Sequence, residues 1–180
     1  MIEVERKYRI ATGHQEDILS KMAAMGEVST VSQADSVYLR GARSFAEFTK
    51  GDPVVRIRQV DDSVVLTAKR IVNEAGDALE ENLEVPDMEE AKRFVDILGF
   101  QPVTEVQKER STVSEGRLKV VLDNVVGLGY FVELEIVVAD QPDVAGAISE
   151  ITSRAQDLGL AEAQLETRKY DELLEEAKAA

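Results

Sequence analysis

Hydrophobic and polar residues alternate along most of the chain, which is typical of β-strands that have one apolar and one polar face. In the first segment, residues 1–8, Glu3, Glu5 and Lys7 stand at alternate positions, and the apolar residues Ile2, Val4 and Tyr8 fall on the other face. Side chains two residues apart share a face in a strand, so these three charges are predicted to point the same way. Burial of these charges without partners would cost a large desolvation free energy, so the side chains must face water, counter-charges or a metal.

Seven more segments show the same alternation, and helical spacing of apolar residues separates some of them. The predicted strands are residues 27–39, 54–60, 64–70, 78–85, 103–113, 117–123 and 130–138. Helices are predicted at residues 14–25, 87–98 and 142–158 and from Thr167 onward, and residues 41–53 read as a loop. The segments follow one another without a Gly/Ser linker, which predicts one domain over residues 1–180.

The second predicted helix has the clearest start signal. Asp87 stands three residues before Glu90, the spacing of a capping box. The apolar stripe predicted to face the core is Met88, Ala91, Phe94, Val95 and Leu98.

The amino-acid composition excludes several kinds of catalytic site, metal site and partner. The 180 residues carry a formal net charge of −14, with no cysteine and one histidine. Disulfides, thiolate metal sites and cysteine nucleophiles are therefore excluded, and a Ser-His-Asp triad is disfavoured. The acidic balance argues against a nucleic-acid partner, and no apolar run approaches a membrane span, so we expect a cytoplasmic protein.

The polar faces of the predicted strands carry an unusual density of both signs of charge. Acidic residues on them include Glu3, Glu5, Asp123, Glu133 and Glu135, and basic ones are Lys7, Arg56, Arg58, Lys69, Lys108, Arg110 and Lys119. If the sheet closes, these side chains converge on one cavity. A triphosphate with bound Mg²⁺ or Mn²⁺ would match both sets, because the basic residues can bind its phosphate oxygens and the acidic residues can bind the metal. The alternative is a solvated surface on which these residues form ion pairs with one another.

In this arrangement the chain resembles the CYTH superfamily of triphosphate tunnel metalloenzymes. The family signature Glu-x-Glu-x-Lys stands at residues 3–7. Further matches follow in family order: Asp35-x-x-Tyr38, Arg56-x-Arg58, Thr67-Ala68-Lys69, Lys108-x-Arg110, Asp123 and the stretch Gly127 to Glu135. The resemblance implies an α+β fold, a closed eight-stranded antiparallel barrel with a charged interior and flanking helices.

The resemblance also implies roles for these residues. Metal ligands would be Glu3, Glu5, Asp123, Glu133 and Glu135, binding Mg²⁺ or Mn²⁺. The triphosphate would be bound by Lys7, Arg56, Arg58, Lys69, Lys108, Arg110 and Lys119, with Glu3, Glu5, Lys7, Arg58 and Lys69 acting in catalysis.

Three functions remain open on this pattern. The resemblance is strongest to class IV adenylyl cyclases, which convert ATP to cyclic AMP and pyrophosphate. The same residues would serve an inorganic or thiamine triphosphatase, and a non-catalytic module that binds polyphosphate or nucleotide is the third reading. We expect a small-molecule triphosphate as the partner, with neither nucleic acid nor membrane, and the sequence leaves open whether the protein forms a homodimer.

Overall fold

The strands and helices form close to the predicted segments. The computed structural model describes residues 2–41, 47–49, 51–71, 78–139 and 141–179, so residues 42–46 and 50 of the predicted loop at residues 41–53 lie outside it. The strands are β1 Ile2–Ile10, β2 Ser29–Arg40, β3 Val54–Val60, β4 Ser63–Ile71, β5 Ala78–Val85, β6 Phe100–Glu115, β7 Leu118–Val125 and β8 Gly129–Val138. The helices are α1 Gln15–Met25, α2 Met88–Ile97, α3 Val144–Asp157 and α4 Tyr170–Ala179. In the part of the chain that the structure describes, no helix is both long and apolar enough to span a bilayer.

Hydrogen bonds join the eight strands in one sheet of order β1-β8-β7-β6-β2-β3-β4-β5. The pairs β1/β8, β7/β8, β6/β7, β2/β3, β3/β4 and β4/β5 are all antiparallel. The α+β class and the eight-stranded antiparallel sheet are therefore confirmed. Over the described residues this order is open, with β1 and β5 at its ends, so closure into a barrel stays a prediction.

By its internal contacts the chain divides into two compact units. Unit 1 comprises residues 1–31 and 108–169. In it, α1 and α3 cover the apolar face of β1, β7 and β8, and Met22, Val120, Leu134 and Ile151 are fully buried. Burial of each such side chain stabilises the fold by about 1.5–3 kcal/mol, which fixes the opposite, polar face of these strands.

Unit 2 comprises residues 32–107 and 170–180. Its core lies between α2 and the apolar face of its strands, where Ile57, Ala91 and Val95 are buried. The predicted cap is present, since the Asp87 carboxylate accepts a hydrogen bond of 2.7 Å from the Glu90 amide.

The predicted apolar stripe of α2 is wrong at two positions. Phe94 is 57% exposed and Leu98 is 49% exposed. With 3.6 residues per turn, Phe94 lies about 90° around the helix from the middle of the stripe that Met88, Ala91 and Val95 form. Leu98 follows the last helical residue as the C-cap, so neither side chain reaches the sheet.

Candidate functional site

The register of unit 1 places predicted site residues beside one another on the polar face. Between β1 and β8, Glu5 pairs with Glu135 and Lys7 pairs with Glu133. Between β7 and β8, Lys119 pairs with Glu135. Side chains directly opposite in an antiparallel pair lie about 5 Å apart at Cβ, so these residues interact.

Glu5 lies in a strongly negative part of this face. Withdrawal of water by the surrounding protein, followed by the charge of Glu133, raises the pKa of Glu5 above its ordinary value of 4.5. Lys7 opposes this effect, while Glu3 and Glu135 add to it. The carboxylates therefore repel one another more than the neighbouring cation compensates, and a bound cation would relieve that repulsion.

Asp123 is the centre of a buried ion-pair network on the same face. Its side chain is fully buried, and Arg110 donates to both of its oxygens, Nε to Oδ1 at 2.7 Å and Nη2 to Oδ2 at 2.6 Å. Lys108 Nζ donates to Oδ2 at 3.1 Å. Burial alone would raise the pKa of Asp123, but these hydrogen bonds and charges outweigh burial and hold the pKa below its usual value.

Lys108 is the buried cation of this network. Burial, and next the charge of Arg110, lower its pKa, while Asp123 and Glu133 act in the opposite direction. Two cations are thus held side by side by one buried carboxylate, and Arg110 also pairs with Glu133, with Nη2 at 2.6 Å from Oε2. The arrangement fixes two cations in defined positions on this face, beside the two carboxylates that neutralise them.

The carboxylates of unit 1 provide the donor atoms that a hard divalent cation prefers. Glu3, Glu5, Glu133 and Glu135 fit this chemistry, and the raised pKa of Glu5 shows that their negative charge is in excess. Glu135 pairs with Lys119 at 2.9 Å. Within the described residues no three acidic side chains gather around one point, so the donors are present without forming a coordination sphere.

Three predicted cationic residues lie in unit 2, on the polar face of β3 and β4. Arg58 forms a two-point pair with Asp35, Nε to Oδ1 and Nη2 to Oδ2, both at 2.7 Å. Arg56 pairs in register with Thr67, whose hydroxyl donates to Asn82 Oδ1 at 2.7 Å. Lys69 follows on β4 as an exposed residue of the same face.

The predicted site residues are divided between the two units. Unit 1 brings together Glu3, Glu5, Lys7, Lys108, Arg110, Lys119, Asp123, Glu133 and Glu135, and unit 2 places Arg56, Arg58 and Lys69 on one face. The roles assigned to these residues stay predictions. Sequence reasoning did not assign a role to Asp35, although Asp35-x-x-Tyr38 was one of the family matches.

Glu166 and Arg168 were also missed. Glu166 has its pKa lowered to about 2, chiefly by hydrogen bonds from Arg168. They lie in an irregular segment after α3, where no periodic signal marks a functional residue.

Comparison with known sequences identifies relatives of this chain. A protein named adenylate cyclase CyaB, from Aeromonas hydrophila, is 34% identical over 100 residues, which is 54% of this chain and 51% of that protein. The match therefore spans about half the length of that relative. A candidate adenylate cyclase from Methanocaldococcus jannaschii is 26% identical over 175 residues, 96% of this chain and 98% of that protein.

Solved structures show the same fold. The PH1819 protein of Pyrococcus horikoshii OT3 has a TM-score of 0.75 at 29% identity, covering 97% of this chain and 99% of that one. A Hippeastrum protein, whose structure is described as revealing a dominant triphosphatase activity, has a TM-score of 0.58 at 19% identity, covering 88% and 87%. At 19% identity, the similarity to the Hippeastrum structure supports the fold alone.

The family assignment rests on the whole domain rather than on one motif. The model of the CYTH domain matches residues 1–170, which include every strand and every predicted site residue. The chain belongs to the CYTH family.

Proposed function

We propose that this protein is a divalent-metal-dependent enzyme that acts on a triphosphate, and that it converts ATP to cyclic AMP and pyrophosphate. The observation that carries the proposal is the mixture of both signs of charge on the unit 1 face. Glu5, Glu135 and Lys119 stand in one cross-strand row, and Asp123 pairs in register with Arg110 farther along the same strands. A polyphosphate with a bound metal is a ligand that needs both kinds of group.

The cationic residues would bind and orient the triphosphate. Arg110 and Lys108 are already held in place by Asp123, and Arg58 is held by Asp35. Because their side chains are fixed before the ligand arrives, little conformational entropy is lost on binding. These residues, with Lys7, Arg56 and Lys69, would neutralise the negative charge that develops on the phosphate oxygens.

In the cyclase reaction the ribose 3′-oxygen forms a bond to the α-phosphorus, and the bond from that phosphorus to the bridging oxygen of pyrophosphate breaks. The 3′-hydroxyl proton is lost and pyrophosphate leaves as an anion held by the cations. Glu3, Glu5, Glu133 and Glu135 would hold Mg²⁺ or Mn²⁺, with Asp123 supporting them. When bound, such an ion acidifies the attacking hydroxyl and neutralises the leaving group.

Hydrolysis of a triphosphate is the second candidate function. Water would replace the ribose hydroxyl as the attacking group, and the same cations and carboxylates would act. The adenylate cyclase names of the two sequence relatives favour the cyclase, whereas the distant Hippeastrum protein is described by its triphosphatase activity.

One incubation separates these functions. Purified protein is given ATP, tripolyphosphate or thiamine triphosphate with Mg²⁺ or Mn²⁺, and the products are identified by chromatography. Cyclic AMP with equimolar pyrophosphate is the expected result. Orthophosphate without cyclic nucleotide would replace the cyclase with a hydrolase, and tight binding without any product would reduce the function to a binding module.

A further inference from the structure

Arg9 is a cation of the polar face that the motif does not include. It stands on β1 two residues after Lys7, so its side chain points to the same face, and it is exposed. Its partner across the strand pair is Phe131, and the guanidinium carbon lies 5.0 Å from the centre of that ring. A guanidinium over an aromatic ring is attracted by the ring electrons, so Arg9 is held in a defined position.

A second group of contacts holds the backbone at Arg9. The segment after α3 runs along the outer edge of β1, where the Glu166 amide donates to the Lys7 carbonyl at 2.7 Å. The Gln164 side chain donates to the Arg9 carbonyl at 3.3 Å. This edge of the strand is therefore fixed on both sides of Tyr8, which limits movement of Lys7 and Arg9.

Glu166 also controls the charge near Arg9. Its carboxylate binds Arg168 through Nε at 2.8 Å and Nη2 at 2.5 Å. Arg9 adds to the electrostatic stabilisation of the same carboxylate. The Glu166 carboxylate is thus bound by Arg168, and Arg9 adds only a weaker electrostatic contribution; together the three side chains carry one positive charge in excess.

The position of Arg9 along β1 indicates which part of a ligand it would meet. Glu3 and Glu5 come first on this face, then Lys7, then Arg9. At about 3.3 Å per residue, Arg9 lies about 7 Å beyond Lys7 and about 13 Å beyond Glu5. It is therefore at the end of β1 opposite to Glu3 and Glu5, in the cross-strand row that contains Phe131 and Asp123.

We propose that Arg9 is a further substrate-binding residue, which contacts the end of the phosphate chain remote from the carboxylates Glu3 and Glu5. The inference rests on the proposed function, because it assumes a polyphosphate ligand. A planar guanidinium held by a ring on one side offers its N–H groups to phosphate oxygens in a fixed geometry. A chain of three phosphates would reach Arg9, whereas a chain of two, held beside the carboxylates and Lys7, would not.

Calorimetric titration with two ligands tests this proposal. Tripolyphosphate and pyrophosphate are titrated, each with Mg²⁺, into the wild type and into Arg9→Gln, with thermal melts to verify folding. We expect tripolyphosphate to bind Arg9→Gln at least 5-fold more weakly and pyrophosphate to change by less than 2-fold. Arg9→Lys, which keeps the charge, should recover part of the lost affinity.

Arg6→Gln is the matched control. Arg6 lies on the same strand and loses the same charge, but it is on the opposite face, where it donates to the Glu5 carbonyl at 2.8 Å. Arg6→Gln should change neither affinity. A second variant, Glu166→Gln, should tighten tripolyphosphate binding 2-fold to 5-fold, because it removes a negative charge that interacts electrostatically with Arg9.

The outcomes separate the two proposals. If the wild type binds neither ligand, the proposed function fails and the role of Arg9 fails with it. If the wild type binds tripolyphosphate but Arg9→Gln behaves like Arg6→Gln, the role of Arg9 alone is overturned. Equal losses for both ligands in Arg9→Gln would overturn its position at the far end of the chain.

Discussion

The polar faces of the two units carry different chemistry. In unit 1 the five predicted metal ligands are interleaved with Lys7, Lys108, Arg110 and Lys119, and Arg9 lies on the same face, so the two signs of charge are mixed. In unit 2 the predicted site residues are three cations, and Asp35 is the carboxylate that holds one of them. Under the proposed function, this difference would place metal binding in unit 1 and leave unit 2 with binding of the anion.

Pairing differs between the two faces as well. Asp123 of unit 1 is fully buried and binds two cations, whereas Asp35 of unit 2 retains 10% of its side-chain exposure and binds Arg58. Buried charge that is fully paired is stable, but it becomes very costly when one partner is lost. The unit 1 network should therefore be the more sensitive of the two to substitution.

The largest effect is expected from Glu5→Gln in unit 1. The substitution keeps the shape of the side chain and removes the charge that lies among Glu3, Glu133 and Glu135. We expect metal-dependent turnover to fall at least 1000-fold, about 4 kcal/mol of transition-state stabilisation, because a carboxylate ligand is lost. Product formation at saturating Mg²⁺ measures the loss, and the thermal melt should change little.

Glu109→Gln is the control for this experiment. Glu109 is an exposed carboxylate of β6 on the face opposite to Lys108 and Arg110. It loses the same charge, and its turnover should stay within 2-fold of the wild type. Wild-type turnover in Glu5→Gln would remove the metal-site assignment.

The sequence predicted which charged side chains share a strand face, but it did not predict which of them bind one another. Alternation predicted that Glu5 and Lys7 share a face, because that depends only on the two-residue period of a strand. It could not predict that Arg110 reaches both Asp123 and Glu133, since this depends on the register of β6, β7 and β8, which distant residues determine.

Two other features could not be predicted from the spacing of hydrophobic residues, for different reasons. Phe94 fits a helical stripe, yet its exposure depends on how much of the α2 surface the sheet covers. The Glu166 amide donates a hydrogen bond to the Lys7 carbonyl, and a bond between two backbone groups does not depend on the pattern of side chains in the sequence. Both belong to tertiary structure rather than to local preference.

The second prediction compares the two buried carboxylates directly. Asp123→Asn should lower the free energy of unfolding by about 3 kcal/mol, because Lys108 and Arg110 lose the charge that compensates them. Asp35→Asn should cost about 1–2 kcal/mol, since Arg58 is 28% exposed and water replaces part of the lost interaction. Urea denaturation monitored by circular dichroism measures both values. Equal losses would remove the distinction between the two networks.

The third prediction concerns anion binding by unit 2. Lys69→Ala should weaken tripolyphosphate binding about 10-fold, about 1.4 kcal/mol, with little loss of stability because Lys69 is exposed. Arg70→Ala is the matched control, because Arg70 is the next residue of β4, exposed and on the opposite face. Titration calorimetry measures the affinities. If Lys69→Ala and Arg70→Ala weaken binding equally, only the net charge of the protein matters and unit 2 has no specific contact through Lys69.

The smallest effect is the pH dependence that Glu166 contributes to unit 1. Its pKa is about 2 in the folded protein, against an ordinary value of 4.5, so the unfolded chain binds more protons between these values. The stabilisation is fully present above pH 4.5 and is lost as the pH falls through about 2. Because Arg168 is 45% exposed, solvent screening limits the contribution to about 1 kcal/mol or less.

Glu166→Gln removes this titration and leaves the Glu166 amide bonded to Lys7. Its free energy of unfolding should therefore lie slightly below the wild-type value at pH 7, and the two values should converge as the pH falls from about 4.5 toward 2. Urea unfolding across that range measures the convergence. A constant difference at every pH would show that the Glu166 carboxylate does not titrate with the stability of unit 1.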